Sequence, residues 1–203
     1  MIEVHAGEKA EVHKEGLARL YSGGKAKVFE GGEAEVYAGG FAEVNEGGIA
    51  YVYDGGEVEV WKGGAALVTI GGWASVCGGR VEVHAGGKAV VRKGGKVEVH
   101  AGGKATVEDG GWADVKAGGE AIVLSGGNAT VRKGGFAEVY DGGYADVEDG
   151  GKAIVEDGGN AWVYEGGKAT VRKGGWAKVY EGGMATGGGE IVYVDRSGEP
   201  IAQ

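Results

Sequence analysis

The residues of this chain that could do chemistry are its histidines, its one cysteine and a group of aspartates, and they are placed regularly. The histidines are His5, His13, His84 and His100, and the cysteine is Cys77. A lone thiol excludes an intrachain disulfide and supplies no metal-ligand cluster. Asp109, Asp141, Asp149 and Asp157 each stand directly before a Gly-Gly pair. Calcium-binding Gly-Gly-x-Gly-x-Asp repeats have similar glycines. Here the fourth and sixth positions are Ala and Val, so the calcium ligands are missing and the aspartates read as turn formers. The pairs also lack the Gly-Lys-Ser/Thr ending of a phosphate-binding loop. Catalysis needs groups that converge in a cleft. Neither a catalytic, a cofactor nor a metal site is expected.

The element that must position these residues is an octapeptide. Gly-Gly pairs begin at residue 23 and recur every eight residues to 71, then from 78 to 182. Numbered from the first glycine, position 4 is Ala in all but three units (Val58, Val81, Val97), and position 6 is Val from Val28 to Val179. All four histidines occupy position 7. The phase runs back through Leu17-Ala18-Arg19-Leu20 and Lys9-Ala10-Glu11-Val12 to Ile2 and Val4. Only the unit Trp73-Ala74-Ser75-Val76-Cys77 is a residue short. Apolar residues at 4 and 6, with Lys, Glu, Thr, Tyr and Trp at 3, 5 and 7, are the alternation of a strand with one buried face. Paired glycines then supply the corner. They also exclude helix, because each pair would cost a helix about 2 kcal/mol relative to alanine.

A parallel β-solenoid and an antiparallel meander both keep Ala and Val on one face. The solenoid is the expected fold. A one-sided meander of more than twenty strands must curl into a wide barrel or sandwich, which Ala and Val cannot fill. Two octads per coil give a rod of about twelve coils and roughly 55 Å; three give a shorter, triangular one. Ala at position 8 (Ala6, Ala38, Ala85, Ala101, Ala117) falls on alternate units, which favours two. Residues 1–187 are expected to form the solenoid. Residues 188–203 are expected to form a capping hairpin, with a strand at Glu190–Val194, a turn at 195–198 and a return strand at 199–203.

Units such as Gly159-Asn160-Ala161-Trp162-Val163-Tyr164 resemble the Gly-Asn-Ala-x-Val-x hexapeptides of left-handed β-helix proteins, with two residues added per side. Octapeptide repeats of uncharacterised phage and bacterial proteins, and the needle-like spikes of phage tails, are similar. The resemblance covers almost the whole chain. It implies a solenoid and, from the spikes, a trimer as one candidate assembly; it says little about activity. Enzymes of the hexapeptide class set a histidine and a loop insertion at a subunit interface. No loop interrupts the repeat here, so the histidines are expected to be plain surface residues.

What remains is surface. Trp61, Trp73, Trp112, Tyr140, Tyr144, Trp162 and Trp176 all lie at odd, outward positions. They either cover one another on the sheet or form an adhesive strip for glycan or protein. Net charge is −9, which argues against a nucleic-acid partner. Charge is also banded: eight acids lie between Glu30 and Glu59 with no Lys or Arg, followed by a basic band of Arg80, Lys88, Arg92, Lys93, Lys96 and Lys104. Neither a secretory signal nor an apolar run of membrane-spanning length is visible, so a cytoplasmic or particle-associated location is expected. The functional expectation is a non-catalytic scaffold, with phage or prophage encoding as one source. A carbohydrate-binding or adhesive module is the alternative. Self-association through the N-terminal end is expected too.

Overall fold

The structure, a computed structural model, describes residues 1–195 and 197–201. Arg196 of the expected turn and Ala202 and Gln203 of the expected return strand lie outside them. Strands of mostly four residues, from Ile2–Val4 to Glu190–Tyr193, alternate between a 13-stranded and a 12-stranded sheet. Each strand pairs in parallel with the strand two units away, as in Ala18↔Ala34 and Ala34↔Ala50. The fold is therefore a two-sided parallel β-solenoid of about 12 coils, each normally 16 residues long, and the meander is excluded.

The corner explains both glycines, each for its own reason. The N–H of Gly32 donates to Phe29 O at 2.8 Å, closing a four-residue turn. Gly31, third in that turn, has φ of +70°. This is a type II turn, which requires a positive φ at its third residue. Every first glycine of a pair obeys it, with φ between 67° and 92°. The second glycine has no such φ; it lacks room. A Cβ on Gly127 would sit 2.5 Å from Val107 O, in the preceding coil, and 3.0 Å from Leu124 O of its own turn. The corner backbones of successive coils also bond directly, Gly31 N to Gly47 O at 3.0 Å. Glu8 and Glu15 stand at these two positions in the first coil, where the described chain puts no coil beneath them; Glu15 keeps the positive φ, at 62°.

Inward residues form three rows per sheet, because the second glycine is buried along with Ala and Val. The valines of position 6, from Val28 to Val179, are 0% exposed, and each such burial is worth roughly 1.5–3 kcal/mol. With Gly, Ala and Val as the only inward types over most of the length, the interior is thin and dry.

Two irregularities are absorbed at corners. Trp73 pairs with Glu57, sixteen residues back, but with Lys88, fifteen residues on. The lost residue is position 8, so Ala74 and Val76 stay inward at 0% exposure. At the other end Trp176 pairs with Glu190 after only fourteen residues, across Gly187–Gly189. The strand Glu190–Tyr193 then stacks in parallel, and Tyr193 takes the valine position opposite Val179. Its ring lies against the core and its hydroxyl donates to Ala185 O at 3.0 Å. Beyond it the chain turns back, with an antiparallel bridge between Val194 and Pro200. The Asp195 carboxylate accepts from Ser197 N, Ser197 Oγ and Glu199 N.

The two glycine roles give opposite substitution orders. Gly102 (φ +74°) sits in the turn and Gly127 in the coil contact. Asn tolerates a positive φ better than Ala. Gly102→Asn should therefore cost less than Gly102→Ala, each within about 1–3 kcal/mol. At Gly127 the order reverses, Ala costing about 1–3 kcal/mol and Asn more. Urea midpoints of the four variants measure this; the same order at both sites would contradict it.

Candidate binding faces

Parallel in-register strands about 4.8 Å apart stack each outward residue on its counterpart sixteen positions on, so the outside consists of side-chain columns. In the first sheet the rings of His5, Tyr21, Tyr37 and Tyr53 stack at centroid distances of 5.2, 5.3 and 5.0 Å. Ion pairs follow the same interval: Arg19–Glu35 at 2.7 Å, Lys27–Glu43 at 3.2 Å, Arg92–Glu108 at 2.9 Å, Lys104–Glu120 at 2.6 Å and Arg132–Glu148 at 3.0 Å. The Arg19 hydrogen bond holds the Glu35 carboxyl below its usual range against the opposing effect of burial, with help from the Tyr37 hydroxyl.

The columns break up the basic band. Arg80 reaches Glu98 at 3.1 Å, and Arg92 and Lys104 have the partners just named. Arg92 also donates to Ser75 Oγ at 2.8 Å, which accounts for the burial of that hydroxyl. Lys88 stands in register with Lys104, Lys96 stands between Arg80 and Trp112, and Lys93 lies at a corner under Gly110. The one deeply covered charge among the described residues is Asp114, 5% exposed, which accepts from Lys116 and Arg132. Lys116 also contacts Glu98 at 3.4 Å. This knot was missed in the sequence; its signal is opposite charges two and eighteen residues apart, readable only once the coil length is known.

The aromatic residues divide between the sheets. Trp61, Trp73 and Tyr140 are on the second sheet, in two columns. Trp61 is 45% exposed, opposite the free Cys77, and the Tyr140 hydroxyl donates to Glu138. Trp112, Tyr144, Trp162 and Trp176 are on the first sheet. Tyr144 meets Trp162 edge-on at 5.5 Å, Trp162 meets Tyr180 at 6.4 Å, and Lys178 lies over both of the latter rings. Asp146 accepts from the Tyr144 and Tyr164 hydroxyls. Burial, then Asp146, pushes the Tyr164 phenol up to about 12 and Tyr144 further. Trp112, Asn128, Tyr144, Asn160 and Trp176 form one column, aromatic at every second coil. On the second sheet, Val90, Thr106 and Ile122 floor an open groove, flanked by Lys88 and Lys104 and ended by Trp73 and Phe136.

No family model and no curated protein matches the chain. Among solved structures it is similar to one described as "Crystal structure of TibC-catalyzed hyper-glycosylated TibA55-350 fragment", with 30% identity, 97% of this chain and 89% of that one covered, and a TM-score of 0.46. Among the described residues no helix is long and apolar enough to cross a membrane.

The depressed Glu35 carboxyl makes part of the stability acid-sensitive. Its contribution is complete above the unfolded glutamate value, about 4.3, and is lost as pH falls through the lower folded value. The melting temperature should be flat from pH 7 to about 5 in this respect and fall below about 4. Glu35→Gln should lower it at pH 7 and shallow the acid limb; an unchanged limb would remove Glu35 as a contributor.

Proposed function

We propose that the chain is a non-catalytic scaffold, a stiff rod that holds columns of outward side chains in fixed register for a protein or glycan partner. The observation that carries this reading is the unbroken parallel pairing of the strands, reinforced by hydrogen bonds between successive corners on either side of the short unit at Gly78. A backbone tied at every step resists bending, so side chains far apart in sequence keep fixed separations. Chemistry on a substrate needs convergent groups, whereas columns present groups side by side. Self-association, through the first coil or as a trimer, belongs to the same proposal.

Small-angle scattering tests both parts. The expected particle is a rod of about 55–60 Å per chain by strand spacing, unchanged in shape from low to high salt, with forward intensity giving the number of chains. A bent or partly unwound ensemble would remove the scaffold reading, and a strict monomer at high concentration would remove self-association.

The aromatic column favours a second reading, an adhesive module for a linear glycan. Trp112, Tyr144 and Trp176 recur about 9.6 Å apart at the parallel-strand spacing, with Asn128 and Asn160 between them. Flat rings at alternate steps of an extended sugar chain, with amides between, suit stacking plus hydrogen bonding. On a glycan array, Trp112→Ala and Trp176→Ala should each reduce binding about tenfold without changing the melting temperature. Signals unaffected by both substitutions, or no signal from the wild type, would eliminate the adhesive reading and leave the rod.

A further inference from the structure

Glu82 groups with His84 and His100, two histidines expected to be plain surface residues. Glu82 and His84 are two residues apart on one outward face, and His100 lies one coil above His84 in the position-7 column. The two imidazoles stack with centroids 4.4 Å apart and planes within 4°. Glu82 Oε2 is 3.8 Å from His84 Nε2. Ligand atoms of all three residues lie within 4.8 Å of one another. His100 Nε2 is buried and has no hydrogen-bond partner, unlike every other buried side-chain nitrogen or oxygen among the described residues. A buried, unpartnered polar atom costs free energy unless something binds it.

From this arrangement we propose that Glu82, His84 and His100 bind a divalent transition-metal ion such as Zn2+, Co2+, Ni2+ or Cu2+. Two imidazoles and one carboxylate are borderline donors; calcium and magnesium would want oxygen alone. The neighbouring charges leave Glu82 free for the role. Glu98, its counterpart one coil on, is held by Arg80 and Lys116, while Lys116, next in the column above His100, is bound to Asp114 and Glu98. Metal bonds of about 2.0–2.2 Å require donors no more than about 4.2 Å apart, so the group must tighten and the stacked rings must tilt until their lone pairs converge. The side chains of His84 and Glu82 are 40% and 44% exposed, which leaves them that freedom. Three protein ligands leave the remaining coordination positions to water.

The chain contains its own controls. His5 with Glu3 and His13 with Glu11 repeat the same Glu-x-His geometry, at 3.7 and 3.6 Å. Their rings stack on Tyr21 and Phe29 in place of a second histidine. The site proposed at Glu82, His84 and His100 therefore differs from the controls in one donor.

The test is titration of the whole chain with Co2+, followed by visible absorption, and with Zn2+ by calorimetry. One equivalent of each ion should bind. His84→Ala and His100→Ala should each weaken binding at least about tenfold, as loss of a direct ligand does at least what loss of its supporting partner does. His13→Ala should leave affinity unchanged, and Glu82→Gln should weaken it. Circular dichroism confirms that each variant is folded. If His100→Ala unfolds, the comparison of His84→Ala with His13→Ala decides alone, because both residues are surface-exposed. Absence of a visible band and of heat, affinity indifferent to His84→Ala, or equal losses in His84→Ala and His13→Ala would each overturn the site and leave the imidazoles as a stacked pair.

Discussion

The whole structure depends on how closely one corner lies over the next. From Gly24 to Gly183 the second glycine of each corner faces a backbone carbonyl of the coil before it, too near for a methyl group to fit without a shift, while the first glycine makes the turn that brings the chain there. That contact fixes where every strand starts relative to its predecessor. With the starting point fixed, the pleat determines the rest: positions 2, 4 and 6 point inward and 3, 5 and 7 outward, coil after coil. The inward rows can then be as small as Gly, Ala and Val, because the sheets need only meet across a thin interior. Larger inward residues occur at the ends, Leu20 near the start and Tyr193 in the last strand, where fewer neighbours constrain them.

Outward chemistry follows from the same constraint. When every coil repeats in register, a residue's main neighbours are its equivalents one coil either way, so a column is a one-dimensional sequence of its own. Like rings can share faces along it, as Tyr21, Tyr37 and Tyr53 do, and opposite charges can neutralise, as Arg19 and Glu35 do. Exposed pairs of this kind add little stability individually. Their consequence is arrangement, since a side chain engaged on both sides presents one orientation to a partner. The segments Val90–Lys93, Thr130–Lys133 and Thr170–Lys173 illustrate how freely units move: copies 40 residues apart fall on alternating sheets, and the fold accepts each on either one.

Period, alternation and the dry core were legible in the sequence because they depend on residue type at fixed spacing, which the chain states some twenty times over. Coil size was weakly legible, through the alanines of position 8; all of them fall on one corner, as two octads per coil require. The neighbours of outward residues were not legible without that number. A charge band drawn along the sequence treats Arg92 and Glu108 as members of different regions, whereas the coil sets them side by side. The burial of Asp114, at an outward position, was invisible for the same reason: what covers it are Lys116 and Arg132, and the second of these comes from the next coil. The second glycine was read as part of a corner and proved to be an inward row, because its demand comes from the coil behind it and not from its own backbone angle.

A fold this regular restricts how function can arise. Loops normally collect groups from distant parts of a chain into one place, and the corners between the described strands are only two to four residues long. What the solenoid can do is bring together residues one coil apart, so any site on its face must be built from the same or adjacent columns. The His84–His100 pair and the column of Trp112, Tyr144 and Trp176 are products of that rule: one places two nitrogen donors on neighbouring coils, the other spaces flat rings at every second coil. Both rely on the spacing between coils, which the glycine corners set. A change at a glycine remote from either group would therefore disturb them only by shifting register, while exchanging an outward residue alters one column and leaves the stack as it was.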